Sequence, residues 1–528
     1  MRNKSVLCIL CLLLLVMQLP VSALGLHEGL SEPSMAEESK PSTESMEAKK
    51  TTETEKSGLL KIVGTEIPME NVAFIPTFDS SEAEPKDKLA EARKLIHEGM
   101  LNFTGEISLY GLQITFAELH SIITDLHSSE AMLFHVNGQY RYRIYDNDYV
   151  YSVLLTYNTD AATYKKQCEF AENEIQKILT DSGVLQIDDD FSQALILNDY
   201  LASHYEYDLT YTYYDMYSMM VYKKGVCQAY TLFYDELLTR CGIEVWYAQS
   251  EAMNHIWNLV KIGNHFYHVD VTWNDPVSDK YSMADHEYFM LSDAYVASDG
   301  PRNPHHSWVS HDGIVCDDDT YDATILTQSE SPFVLCEGEI YYIESETGNI
   351  SKYIDAFTVG TTVYTIDSIW YVADKPGYYY PGTFSGLASF EGKLYFNTAD
   401  QVGAYDVKEG TVEWIATAQD NAGDIVGVRY IGERTVEYGL AADAASKQLT
   451  ALYTYLIPKA QLLMGDLNED DVVDMKDAAV LQRHVLKINE ITDESVLAAA
   501  DVMGDGIVDM KDAAKLTRFV IKVIDSLE

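Results

Sequence analysis

Twenty-two residues near the C-terminus occur twice, and this duplication constrains the fold more tightly than any other feature of the chain. Asp466–Lys487 realigns with Asp501–Lys522 at a shift of 35, with 13 of 22 positions identical. Each copy opens on an acidic 12-residue loop and runs on into a helical period. In the first loop Asp466, Asn468, Asp470, Asp474 and Asp477 occupy positions 1, 3, 5, 9 and 12, with the carbonyl of Val472 at position 7. A hard cation such as Ca2+ takes six to eight oxygens, and this spacing wraps them around one point. The second loop offers Asp501, Asp505, Asp509 and Asp512 with the carbonyl of Ile507. Each copy departs from the pattern once. Asp471 stands where the sharp turn usually has glycine, whereas the second copy keeps Gly506. Met503 replaces the oxygen ligand at position 3, and a thioether is a poor ligand for calcium. Two calcium sites are expected, the second weaker, in a small all-α module.

The remainder of the 528 residues has room for two more domains. Arg2 and Lys4 precede an apolar run, Val6–Leu19, with small residues at Val21-Ser22-Ala23. This reads as a signal peptide over 1–23, too short to span a bilayer, so the mature form is expected to be secreted, with no membrane anchor. A net charge of −46 excludes a nucleic-acid partner, because a phosphate backbone would be repelled. Residues 24–87, mostly Glu, Ser, Lys and Thr at first, read as a disordered tether. From 88 to 315 the period alternates between helix and strand, with helices expected near 117–126, 161–179 and 191–204. From 330 to 457 the text is strand and turn throughout, and Gly338–Tyr342 is echoed by Gly392–Phe396. Two such units are too few for a propeller, so a small β-sandwich or barrel of unknown role is expected.

Five cysteines remain beyond the signal: Cys168, Cys227, Cys241, Cys316 and Cys336. An odd count in an exported protein leaves at least one free thiol. Cys227 opens an amphipathic helix that Gly242 terminates. At such a position the helix dipole favours the thiolate, and first-turn N–H groups are placed to hold a developing oxyanion. Two strands follow, 254–262 and 265–273, joined by Gly263-Asn264. A symmetric hairpin pairs residues whose numbers sum to 527, so Trp257 faces Asp270 and His255 faces Thr272. His255 and Asp270 then become diagonal neighbours on one face, within reach of an imidazole–carboxylate bond. His268 shares the face of Asp270 and competes with His255 for the same role.

Gly225-Val226-Cys227-Gln228-Ala229-Tyr230, His255-Ile256-Trp257-Asn258 and Tyr267–Trp273 together resemble the transglutaminase-like superfamily. The resemblance extends through Asn198-Asp199-Tyr200 and Tyr288–Asp293, with Ala229 and Ile256 as small departures. It implies a papain-like Cys–His–Asp core in an α+β catalytic domain, with Cys227 as nucleophile, His255 as base and Asp270 as its orienter. No catalytic cofactor is implied. The duplicated loop-plus-helix over 464–526 resembles a type I dockerin of cellulosomal proteins, which implies calcium-dependent docking onto a cohesin module of a scaffoldin. Its specificity positions fall on Met475, Lys476, Gln482 and Arg483, then on Met510, Lys511, Thr517 and Arg518.

Taken together, these features favour a secreted, extracellular, cellulosome-associated thiol acyl-transfer enzyme acting on peptide amides, with hydrolysis preferred. A protein cross-linking transglutaminase and a non-catalytic binding module of the same fold are the alternatives. A glycoside hydrolase in polysaccharide catabolism is suggested only by the company dockerins keep. Residues 181–330 carry 25 acidic and 6 basic residues, a surface that favours neutral or basic peptides.

Overall fold

The computed structural model describes residues 58–67, 87–145, 147–275, 281–298, 307–372, 375, 377–380, 383–418, 423–444, 446, 448–458, 463–468 and 472–527. The expected signal peptide lies outside these residues, as do 24–57 and 68–86 of the expected tether. Residues 58–67 depart from that expectation. Their apolar run Leu59-Leu60-Lys61-Ile62-Val63 leads into a strand, β1 (Val63–Glu66), that pairs in parallel with β3 (Gln139–Ile144). β2 (Glu106–Ser108) and β4 (Val150–Leu154) complete a sheet of order β1-β3-β4-β2. The helices Lys88–Leu101 and Phe116–Ser129 close one core with this sheet, through Ile96, Met100, Leu119, Ile123, Tyr140 and Val153. Thr115 starts the second helix with a capping box, its hydroxyl accepting from Glu118 N–H while the Glu118 carboxylate accepts from Thr115 N–H.

The helices expected near 161–179 and 191–204 form at Ala161–Asp181 and Asp190–His204, capped by Asp160 and Asp189. The two-residue strands β5 (Glu206–Tyr207) and β6 (Lys224–Gly225) flank the short helix Met216–Tyr222. The helix Cys227–Cys241 is buried along most of its length and ends at Gly242 with φ 87°, a left-handed cap. It packs on an antiparallel sheet of β7 (Val245–Ser250), β8 (His255–Ile262), β9 (His265–Val269), β10 (Phe289–Leu291) and β11 (Val309–Ser310), in the order β10-β9-β8-β7-β11. The β8–β9 register runs from Ile262↔His265 to Asn258↔Val269, each pair summing to 527. The ladder stops there. The expected pairs Trp257–Asp270 and His255–Thr272 do not form, because Asp270 leaves the strand to cap the helix Val271–Asn274.

The strand-rich region is neither a two-sheet sandwich nor a barrel. Among the described residues, eleven strands make three separate antiparallel meanders: β12–β15 (Val334–Cys336, Glu339–Glu344, Asn349–Lys352, Thr361–Thr365), β16–β19 (Leu387–Phe390, Lys393–Asn397, Gln401–Asp406, Thr411–Thr417) and β20–β22 (Asp424–Gly432, Thr435–Ala441, Leu449–Leu456). The middle sheet is buried on both faces. Leu394 and Phe396 of β17 pack with Ile343 and Ile350 on one side, while Tyr395 packs with Ile425 and Val428 on the other. The echoed sequence units are the hairpins that open the first two meanders. Glu337-Gly338 and Glu391-Gly392 turn with positive φ at both residues, the geometry of a type I′ hairpin. Nor does a gap separate this region from the one before it. Ile340, Tyr342 and Tyr353 enter the core formed by the helix Cys227–Cys241, and Phe333 N–H donates to Asp199.

At the C-terminus the helices Met475–Val485 and Met510–Val520 each follow a loop of the duplication, and a third helix, Glu494–Ala500, which the repeat did not indicate, links them. These elements share a core of their own around Leu467, Leu481, Val496, Val502 and Leu516. Among the described residues no helix is long and apolar enough to cross a membrane.

Candidate active site

Cys227 stands at the first position of its helix, where Val226 as N-cap supplies no side-chain acceptor. Ala229 and Tyr230 donate their N–H groups to the Val226 carbonyl, so the N–H groups of Cys227 and Gln228 are the ones at the mouth of the helix. Thr231, one turn in, donates its hydroxyl to the carbonyls of Cys227 and Ile256, and Asn258 donates to the Thr231 carbonyl. These bonds fix the helix against β8 and hold Cys227 beside His255.

His255 begins β8, and its Nε2 lies 2.6 Å from Asp270 Oδ2. The other carboxylate oxygen of Asp270 accepts from Trp273 N–H, and Asp270 N–H donates to the Tyr288 carbonyl, so the acid is fixed at both ends. Cys227, His255 and Asp270 are all buried. Burial alone would lower the pKa of His255, but the charges of Asp270 and Cys227 and their hydrogen bonds raise it to about 10. The imidazole rests between the rings of Trp257 and Trp273, each 5.5 Å away between centroids. The arrangement can take a proton from sulfur, hold it on a ring of fixed tautomer and return it to a leaving group.

His268 plays a different part. Trp257 Nε1–H donates to His268 Nδ1 at 2.9 Å, which leaves the His268 proton on Nε2, facing Asp293 Oδ1 at 2.9 Å. Cys316 N–H donates to the other oxygen of Asp293. His268, Asp293 and Cys316 are near enough to one another to suggest a metal, but the Trp257 donor and the Asp293 acceptor occupy both nitrogens of the ring. The group braces Trp257 behind His255. Among the described residues no disulfide joins any two of the five cysteines, and burial pushes Cys241 up to about 11 and Cys336 up to about 12. Sequence reasoning missed Gln228, Tyr207 and Trp273 as neighbours of the triad, and it missed Gly58, whose carbonyl accepts from Cys227 Sγ at 3.3 Å.

In the first acidic loop Asp466 and Asp477 are buried. Asp477 Oδ1 accepts from Leu467 and Asn468 N–H, and its Oδ2 accepts from Asp474 N–H. Asp470 and Asp471 lie outside the described residues. In the second loop Asp512 is buried and accepts from Met503 and Asp509 N–H, while Asp501 accepts from Asp505 and Gly506 N–H. The side chains of Val472 and Ile507 face solvent, as they must where the backbone carbonyl is the ligand. Buried carboxylates held by backbone donors at these positions suit a hard cation, so the residues fit calcium. Met503 is exposed and adds no oxygen. Met475, Lys476, Gln482, Arg483, Met510, Lys511 and Arg518 are exposed, whereas Thr517 is half-buried and its hydroxyl accepts from Gln482 Nε2 at 3.4 Å.

Residues 179–271, which include Cys227, His255 and Asp270, match the family model of the transglutaminase-like superfamily, and residues 464–521 match that of the dockerin type I domain. The chain therefore carries a transglutaminase-like core within a mixed α and β fold, followed by a C-terminal dockerin region, a calcium-binding type of module. No curated protein matches the chain. Among solved structures, one described as the crystal structure of a TGase is 13% identical, covering 30% of this chain and 58% of its own, with a TM-score of 0.18. A putative cysteine protease from Cytophaga hutchinsonii is 16% identical, covering 24% of this chain and 52% of its own, also at 0.18. The chain thus spans little more than half the length of either.

Proposed function

We propose that the chain is a secreted thiol acyl-transfer enzyme that hydrolyses peptide amides and is carried on a cellulosome by its dockerin. The observation that supports this most directly is the buried His255 imidazole, held by Asp270 and facing Cys227 at the start of a helix. Cys227 sulfur attacks the amide carbonyl, and the N–H groups of Cys227 and Gln228 stabilise the oxyanion. His255 protonates the departing amine as the C–N bond breaks. Water, deprotonated by His255, then attacks the thioester, and release of the carboxylic acid restores the thiol. Asp270 keeps Nε2 protonated and offsets the positive charge of the ring. Calcium in the two C-terminal loops would be held by Asp466, Asn468, Asp470, Asp474, Asp477 and the Val472 carbonyl, then by Asp501, Asp505, Asp509, Asp512 and the Ile507 carbonyl. It would order the helices that present the cohesin-facing residues.

The test compares Cys227→Ala with the parent chain on casein-derived peptides, measuring new amine ends and the incorporation of a fluorescent amine in parallel. Cleavage lost in the variant, with no amine incorporated by the parent, is the expected result. Incorporation that dominates cleavage would reassign the reaction to cross-linking, and cleavage that survives the substitution would remove Cys227 from it.

A further inference from the structure

Residues 58–67 lie along the mouth of the site, bent at Gly58 and Leu59 and extended over Val63–Glu66, and are tied down at both ends. The Gly58 carbonyl accepts from Cys227 Sγ at 3.3 Å. Leu59 packs against Cys227, Tyr247 and Ile256. Leu60 N–H donates to Gln228 Oε1 at 2.7 Å, and Gln228 Nε2 donates in turn to the His127 carbonyl at 3.2 Å. Further on, Val63 N–H donates to the Gly138 carbonyl and Ile67 N–H to that of Tyr142, both at 2.9 Å, as β1 joins the sheet edge. Backbone bonds along an edge with one side chain in an apolar recess are how an added peptide strand is recognised.

The fit at the sulfur is selective. A Cβ on Gly58 would lie 2.7 Å from Cys227 Sγ, with the Asn254 carbonyl at 3.4 Å and the Tyr207 hydroxyl at 3.5 Å around it. Residue 58 can approach the thiol this closely only as glycine. We propose that the groove over Cys227 takes peptides in which the residue whose carbonyl accepts from the sulfur is glycine followed by leucine, and that Gly58–Ile67 of this chain occupies it as a tethered ligand. The proposal deepens the reading of Cys227 as nucleophile and rests on it. An acyl donor from outside reaches the sulfur only when the tether leaves, so the fraction of open chains scales the apparent rate.

Two variants release the tether by different means: Gly58→Ala places a methyl against the sulfur, and Leu60→Pro removes the N–H that Gln228 accepts. Alkylation of Cys227 by iodoacetamide, followed by peptide mass spectrometry, needs no turnover and so returns a result even for a chain without amidase activity. Both variants are expected to alkylate at least about tenfold faster than the parent, the change a tenth-open groove predicts. In Gly58→Ala, a tripeptide chloromethyl ketone ending in glycine should then label Cys227 at least about tenfold faster than one ending in alanine. Equal alkylation in all three chains, or a glycine reagent no faster than the alanine reagent, would overturn the proposal. Failure of the enzyme reading shows elsewhere, as peptide cleavage unchanged in Cys227→Ala.

Discussion

At the scale of single residues, Asp270 and His268 are near neighbours in sequence with separable effects. Asp270 is half of a buried pair that lifts His255 to about 10. In Asp270→Asn the largest raising influence is gone, so the imidazolium should lose its proton at a lower pH. A histidine-selective NMR titration reads this directly: the His255 signal should stay charged past pH 8 in the parent chain and titrate earlier in the variant. Peptide cleavage should fall by roughly a thousandfold or more, the order seen where a triad acid is neutralised. An unmoved His255 titration would remove Asp270 from the site. His268→Ala instead leaves Trp257 Nε1–H buried without its acceptor, at a cost of about 1–3 kcal/mol. Its melting temperature should drop while the His255 titration stays in place; a His255 shift would make His268 part of the reacting group. The 527 register was legible from the hairpin, but it did not choose between these two histidines, since both reach the face of Asp270. The resemblance made the choice. Gly58 was illegible for a different reason: it lies 169 positions from Cys227, in a stretch whose composition reads as tether.

At the scale of elements, the pieces with local signals formed where the sequence put them, within a few residues. Asp160, Asp189 and Thr115 cap their helices through side-chain oxygens, and Gly242 stops the one that Cys227 starts. What escaped was set by tertiary contact. The second strand of the hairpin ends early because Asp270 is more useful as a cap, and the third meander carries no sequence echo of the other two. The helix Phe116–Ser129 is joined to the sheet of the active site through Asp125, which accepts from Arg93 Nε at 2.9 Å and Tyr247 Oη at 3.1 Å and lies 3.2 Å from His311 Nδ1. Burial alone would raise its pKa, but His311 and Arg93 hold it at about 2. A carboxylate with a depressed folded pKa stabilises the fold above its unfolded value, near 4, and that contribution fades as pH falls towards 2. Asp125→Asn should therefore cost about 2 kcal/mol between pH 5 and 7. The gap in melting temperature between variant and parent should narrow steadily below pH 4. A gap independent of pH would mean that packing, and not charge, is what Asp125 supplies.

At the scale of the whole molecule, the −46 charge separates into two uses. Residues 181–330 carry 25 acidic and 6 basic residues, which should favour neutral or basic peptides if Cys227 acts on peptides, while the acids of the last 65 residues include the proposed calcium ligands. That C-terminal region has its own small core, and Asp466, Asp477 and Asp512 are buried within it, with backbone N–H groups donating to the carboxylates of Asp477 and Asp512. Buried carboxylates of this kind are costly unless a cation offsets them, so ordering here should depend on calcium while the region around Cys227 stands without it. Calorimetric titration of the chelated chain should show two binding steps of unequal affinity, the tighter from the loop with Asn468 and the weaker from the loop with Met503. Met503→Asn restores an oxygen at position 3 and should draw the weaker step towards the tighter one, whereas Asp477→Asn should abolish the tighter step. Chelation should also abolish capture by an immobilised type I cohesin while leaving the iodoacetamide rate of Cys227 unchanged, because the two regions have separate cores. Cohesin capture that survives full chelation would sever the metal from docking. A Met503→Asn chain whose weaker step does not move would show that the second loop is limited by something other than its missing oxygen.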